Sequence, residues 1–173
     1  MKIIAICGRA QAGKSTLASY FEVILKGEGR RVVRAPFAGP LKKLAVELGW
    51  NGRKDEKGRK FLQLLGTDLM REGVDQDYWV KKWLEFVNYE SPDFVICDDM
   101  RFPNEFATVL QCKEYLTLRV DRPSPLWTLL QPKHESEKHF KTFETDRIVK
   151  NNGTRQSLYW DAFNALAHRG WLK

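Results

Sequence analysis

Eight residues near the start, Gly8-Arg9-Ala10-Gln11-Ala12-Gly13-Lys14-Ser15, constrain this chain more than any others. They match G-x-x-x-x-G-K-[ST] in full. An apolar run, Lys2 to Cys7, precedes them, and a segment whose apolar residues Leu17, Tyr20, Phe21, Ile24 and Leu25 recur at helical spacing follows. Strand, glycine-rich loop and helix in that order make a phosphate cradle. The glycines let backbone N–H groups wrap the phosphates, and the helix N-terminus adds positive partial charge. Lys14 reaches the β- and γ-phosphates, and the Ser15 hydroxyl ligates magnesium. Gly8, Arg9, Ala10, Ala12, Gly13, Lys14, Ser15 and Thr16 are therefore the expected ATP-binding residues, with ATP and Mg2+ as the expected cofactors.

Arg31 to Ala35, Phe94 to Cys97, Leu116 to Asp121 and Ile148-Val149 read as further strands, with helical stretches between most of them. Strands alternating with helices predict a three-layer α/β/α fold around a parallel sheet, because parallel crossovers need helices. A chain of 173 residues with 43% hydrophobic content fits a single domain with appendages. The core is expected at about 1–37, 93–121 and 144–173, with a helical insertion at about 38–90 and a lid region at about 122–143. On a helical wheel for 58–72, Phe61, Leu62, Leu65 and Leu69 fall on one side, and Arg59, Gln63, Thr67 and Arg71 spread over the other. One face is expected to pack and the other to meet an anion. Pro123, Pro125 and Pro132 oppose regular structure in the segment 122–143, which suits a flap.

Twenty-nine Lys and Arg against 22 Asp and Glu give a net charge of +7, a tilt toward phosphorylated ligands. Three widely spaced cysteines, Cys7, Cys97 and Cys112, read as reduced rather than as a disulfide or metal site. With no run approaching the roughly 20 apolar residues of a membrane helix, the expected location is the cytoplasm, the host's if the chain is phage-encoded. No membrane and no stable nucleic-acid partner is expected, and a homodimer is left open.

Phosphoryl transfer rests on positioning and charge neutralisation, so it needs carboxylates for magnesium and further cations. The strand at 94–97 runs into Asp98-Asp99, the position from which such folds organise magnesium, and either residue can serve. Arg101 follows as a candidate clamp on a phosphoryl group, and Pro103 can open a helix. Arg119, Arg122, Lys133 and His134 supply cations on or beside the flap, where Glu135 and Glu137 can orient them. His134 and His139, five apart, have the spacing of neither a helical zinc pair nor a triad.

Five pieces together resemble the bacteriophage-type deoxynucleoside monophosphate kinases. They are Gly8 to Thr16; Ala35-Pro36-Phe37-Ala38 with Pro40-Leu41-Lys42; Leu62 to Asp68 running on to Arg71 and Tyr78-Trp79-Val80; Asp99 to Glu105; and His134-Glu135-Ser136-Glu137 followed by Asn151-Asn152-Gly153. The resemblance implies transfer of the ATP γ-phosphate to a deoxynucleoside monophosphate, with the insertion binding the acceptor and 122–143 as lid. It implies that Phe37 and Lys42 border the acceptor, that Arg71 and Arg101 hold its phosphate, and that Trp79 helps wall the base pocket. Arg59, Gln63, Thr67, His134 and Glu137 complete the expected acceptor set, and Lys14, Asp99, Arg101 and Arg122 the catalytic set. By composition alone, Phe37 and Trp79 read as core residues more readily than as base platforms. Where the resemblance leads one to expect a single aspartate, Asp98-Asp99-Met100-Arg101 stands; register favours Asp99 for magnesium, with Asp98 as the alternative. Rival readings are another small-molecule P-loop kinase, such as one similar to dephospho-coenzyme A kinase, a nucleic-acid-binding NTPase, and a nucleotide-gated switch without an acceptor.

Overall fold

Short apolar runs bounded by turn residues become strands because β-branched side chains fit a pleated, buried surface. In the computed structural model, which describes residues 1–123 and 139–172, they are β1 (Lys2–Gly8), β2 (Val32–Arg34), β3 (Phe94–Cys97), β4 (Tyr115–Asp121) and β5 (Arg147–Lys150). All pair in parallel, in the order β2-β3-β1-β4-β5. The helices are α1 (Lys14–Gly27), α2 (Ala38–Glu47), α3 (Glu56–Gln63), a π-helix (Leu64–Glu72), α4 (Tyr78–Glu90), α5 (Pro103–Leu110) and α6 (Arg155–His168), with a 3-10 turn at His139–Thr142. Among the described residues no helix is long and apolar enough to cross a membrane.

The chain packs as two compact units, Met1–Arg34 with Pro92–Lys173, and Ala35–Ser91. In the first, the strand order reverses at β1, and such sheets bind ligands beyond the carboxyl ends of the strands at the reversal. The glycine-rich loop leaves β1 at that end. Ile4, Ile6, Leu17, Phe21, Leu118 and Leu166 are fully buried in its core, where α1 lies beside α6. Gly8 stands opposite Val120 in the β1–β4 register, and a Cβ on it would sit 2.5 Å from the Val120 carbonyl oxygen. The neighbouring strand therefore forbids any side chain there, before any phosphate is considered.

The helical unit is built around Trp83, fully buried, whose indole N–H donates to the Ala35 carbonyl at 2.7 Å. Phe37 packs against that ring with centroids 4.4 Å apart and is 2% exposed. Trp79, 3% exposed, donates to the Gly66 carbonyl at 2.8 Å. Both rings, expected from the resemblance to border the acceptor, are thus buried, which agrees with the core reading that composition favoured.

A correction concerns 58–72. The α-helical wheel predicts that Leu65 and Leu69 share a buried face, but Leu65 is 4% exposed and Leu69 55%. The helix widens to π geometry at Leu64, and i→i+5 bonding changes the phase on which the wheel relied. Gly66 sits at the tight point, since a Cβ there would lie 2.8 Å from a Leu41 methyl.

Candidate active site

The loop at the end of β1 runs directly into the N-terminus of α1. Gly13, with φ of 101°, is the N-cap of α1, and neither a side-chain cap nor an acidic residue occupies the first turn. Uncapped helix N-termini attract anions, because their first N–H groups lack intrahelical partners. Lys14 is buried, and its ammonium donates to the carbonyls of Gly8 at 2.9 Å and Arg9 at 2.6 Å. The cation is thus arched back over the loop. Ser15 and Thr16 are exposed on the first turn, and Ala12 is buried, while Arg9 is half-buried and Ala10 exposed.

At the end of β3 the two aspartates differ in surroundings. The Asp98 carboxylate accepts from the Arg34 guanidinium at 2.9 Å, and Arg34 also lies 3.6 Å from Glu22 and donates to Ser19 at 3.4 Å. Asp99 lies beside the Cys97 thiol, at 3.6 Å. Arg101 is half-buried, and its backbone is pinned: the Glu105 carboxylate accepts from the N–H groups of Arg101 at 2.7 Å and Phe102 at 3.1 Å. Phe102 is the N-cap of α5 and its ring can accept nothing, so Glu105, 3% exposed, supplies the capping from inside the helix, with Pro103 at the first position.

Beyond β4, Arg122 is exposed. Arg119 lies 3.4 Å from Asp121 and donates to the Lys141 carbonyl at 3.5 Å, while the His139 ring sits 6.4 Å from that of Phe102. Lys133, His134, Glu135 and Glu137 lie outside the described residues. Burial pushes the Cys7 thiol up to about 12, against the opposing pull of the Arg119 and Lys14 charges. It is a neutral core group.

Asn151 joins the end of β5 to the phosphate loop. Its backbone N–H donates to the Asp121 carbonyl at 2.7 Å, and its side-chain amide donates to the Ala12 carbonyl at 2.7 Å. Thr154 caps α6 by accepting from the Ser157 N–H at 3.1 Å. A cleft of about 370 Å³ beside the loop is lined by Ser15, Thr16, Ser19, Tyr20 and Arg155.

Within the helical unit, Arg59 and Gln63 share a cleft of about 580 Å³ with Lys54, Asp55, Glu56 and Lys60. Lys42 on α2 and Thr67 on the π-helix are half-buried outside that lining. Arg71 is half-buried as well, and donates to the Gln76 carbonyl at 3.4 Å. Sequence reasoning quoted Glu105 and Asn151 without giving either a task, and passed over Arg34 and Arg155. A glutamate two residues after a helix-opening proline is a capping signal that could have found Glu105; nothing local marks Asn151.

The parallel sheet, the reversal at β1 and the uncapped loop define the P-loop kinase fold. It is shared by shikimate kinase from Aquifex aeolicus, with a TM-score of 0.54 at 14% identity over 98% of both chains. The APS kinase CysC of Mycobacterium tuberculosis, solved with AMPPNP and APS, gives a TM-score of 0.52 at 13% identity over 96% of this chain and 97% of that one. Residues 42–161 match the family model described as deoxynucleotide monophosphate kinase, and this chain belongs to that family. It is 27% identical over 92% of its length to a protein of Acanthamoeba polyphaga mimivirus called a putative deoxynucleotide monophosphate kinase, covering 93% of that protein. A shorter stretch, 38% of this chain and 32% of the relative, is 30% identical to the deoxynucleoside-5'-monophosphate kinase of Escherichia phage T5.

Proposed function

We infer that this chain transfers the γ-phosphate of ATP to a deoxynucleoside monophosphate, giving the deoxynucleoside diphosphate and ADP. The family match over 42–161 carries this reading, because all of it lies beyond the phosphate loop that any P-loop protein shares. The donor phosphates fit the loop at Gly8–Thr16, which leads into a helix whose first-turn amides no side chain caps. Lys14 leaves the carbonyls of Gly8 and Arg9 for the β- and γ-phosphates, exchanging two neutral acceptors for charged ones. The donor base and ribose lie toward the cleft at Thr16, Tyr20 and Arg155.

The residues present fit a magnesium ion: Ser15 is exposed on the first turn of α1, and Asp98 and Asp99 supply carboxylates just past the end of β3. Bound by Ser15 and Asp99, magnesium would neutralise charge on the phosphates. Arg101, on a backbone fixed by Glu105, holds the transferring or acceptor phosphoryl group, and Arg122 adds a second cation. Lys42, Arg59, Gln63, Thr67 and Arg71 form the acceptor set of the helical unit, and His134 and Glu137 belong with the lid. Phe37 and Trp79 serve by holding that unit's core. The acceptor oxygen attacks phosphorus in line, with no covalent enzyme intermediate. The cytoplasm is the proposed location.

The test is coupled ADP release with Mg-ATP against every deoxynucleoside and ribonucleoside monophosphate, with dephospho-coenzyme A and single-stranded DNA as controls. One or more deoxynucleotides should stimulate turnover, and Lys14→Ala should lower it by about a hundredfold or more. Stimulation by dephospho-coenzyme A alone would replace the acceptor.

A further inference from the structure

We propose that Asn151 is a positioning residue for the donor site, holding the Ala12–Gly13 peptide so that the phosphate loop keeps its binding shape before nucleotide arrives. The proposal rests on the kinase reading only for what the loop binds.

The Ala12 carbonyl is a pure acceptor, so the Asn151 atom 2.7 Å away is the amide nitrogen, which only a donor can replace. Asn151 is itself fixed, since its backbone N–H donates to Asp121 at the end of β4 across the β4–β5 ladder. The brace therefore ties the loop to the sheet rather than to another loop. It also presses on Gly13: a Cβ there would lie 2.3 Å from the Asn151 amide nitrogen. Gly13 needs to be glycine twice, for its φ of 101° and for this contact. The carbonyl of Ala12 and the N–H of Gly13 belong to one planar peptide, so fixing the first aims the second. Four residues beyond Asn151 stands Arg155, which lines the cleft beside Ser15 and Thr16. One segment thus supports the loop backbone at one end and the neighbouring cleft at the other.

Asn151→Asp keeps the shape and loses the donor, while Asn151→Ala loses both. Calorimetric titration with ADP and with Mg-ATP, without acceptor, is the primary readout, and steady-state kinetics is the second. We expect Asn151→Asp to weaken nucleotide binding about tenfold or more, at least as much as Asn151→Ala, because a carboxylate facing a carbonyl repels it. KM for ATP should rise while KM for the monophosphate stays within about twofold. Asn152→Ala, an exposed neighbour, is the control. A space-filling role predicts the reverse order, with Asp close to wild type and Ala affected. Should Asn151→Asp fail to fold, Asn151→Ser, which cannot reach Ala12, is measured instead and should weaken nucleotide binding as much as Asn151→Ala. Wild-type nucleotide affinity in a folded Asp or Ser variant overturns the proposal and leaves the kinase reading intact. A wild-type protein that binds ATP but phosphorylates no deoxynucleotide overturns that reading and leaves the brace standing.

Discussion

Cys7 shows how one residue's surroundings set its chemistry. It lies in the buried run of β1, and burial holds its thiol neutral, with a folded pKa of about 12 against an ordinary 9.0. The folded state thus keeps a proton that the unfolded state loses above pH 9, so this contribution to stability is complete below pH 9 and declines as pH rises toward 12. At pH 8 a thiol reagent should label native Cys112, which is half-buried, well before Cys7, with all three cysteines reacting alike in denaturant. Rapid native labelling of Cys7, read by peptide mass mapping, would contradict the assigned burial. Gly8 and Gly13 make the complementary point. The sequence shows why a phosphate loop uses glycine, but not that Gly8 also yields to the Val120 carbonyl and Gly13 to the Asn151 amide.

Elements depend on partners that spacing does not reveal. The run 58–72 has good helical periodicity, and its beginning obeys it: Asp55 caps α3 by accepting from the Gly58 N–H at 2.8 Å. Past Leu64 the turn widens, Leu69 swings to solvent, and the Gly66 carbonyl takes the Trp79 indole as donor. Trp79→Phe keeps most of the ring's volume and removes that donor, leaving a buried carbonyl short of a partner. It should cost about 1–3 kcal/mol, read as a lower urea midpoint at unchanged slope. An unchanged midpoint would mean that the indole bond does not stabilise the π-helix. The loop after β3 follows the same logic, since Glu105 shapes the backbone on which Arg101 stands.

At the scale of the whole molecule, ligand binding is read as a shift in thermal stability. The phosphate loop belongs to the unit carrying β1 and α1, so Mg-ATP at a hundred times its Kd should stabilise that unit by about 2.7 kcal/mol, raising its thermal midpoint by roughly 5–10 °C. Lys14→Ala should lose most of that shift in a calorimetric scan, and a full shift in the variant would show that the lysine does not hold the donor. The sequence by itself determined the phosphate loop, the five strands and the helix after the loop, because each is written in residues close along the chain: a fixed eight-residue spacing, short apolar runs, a 3.6 period. Only the tertiary structure paired Asp98 with Arg34, 64 positions away, and only it found Asn151 against Ala12, 139 positions apart. It also gave Phe37 and Trp79 their partners, Trp83 and the Gly66 carbonyl, because which groups meet an aromatic ring depends on how separate segments pack, and periodicity within one segment is blind to the other.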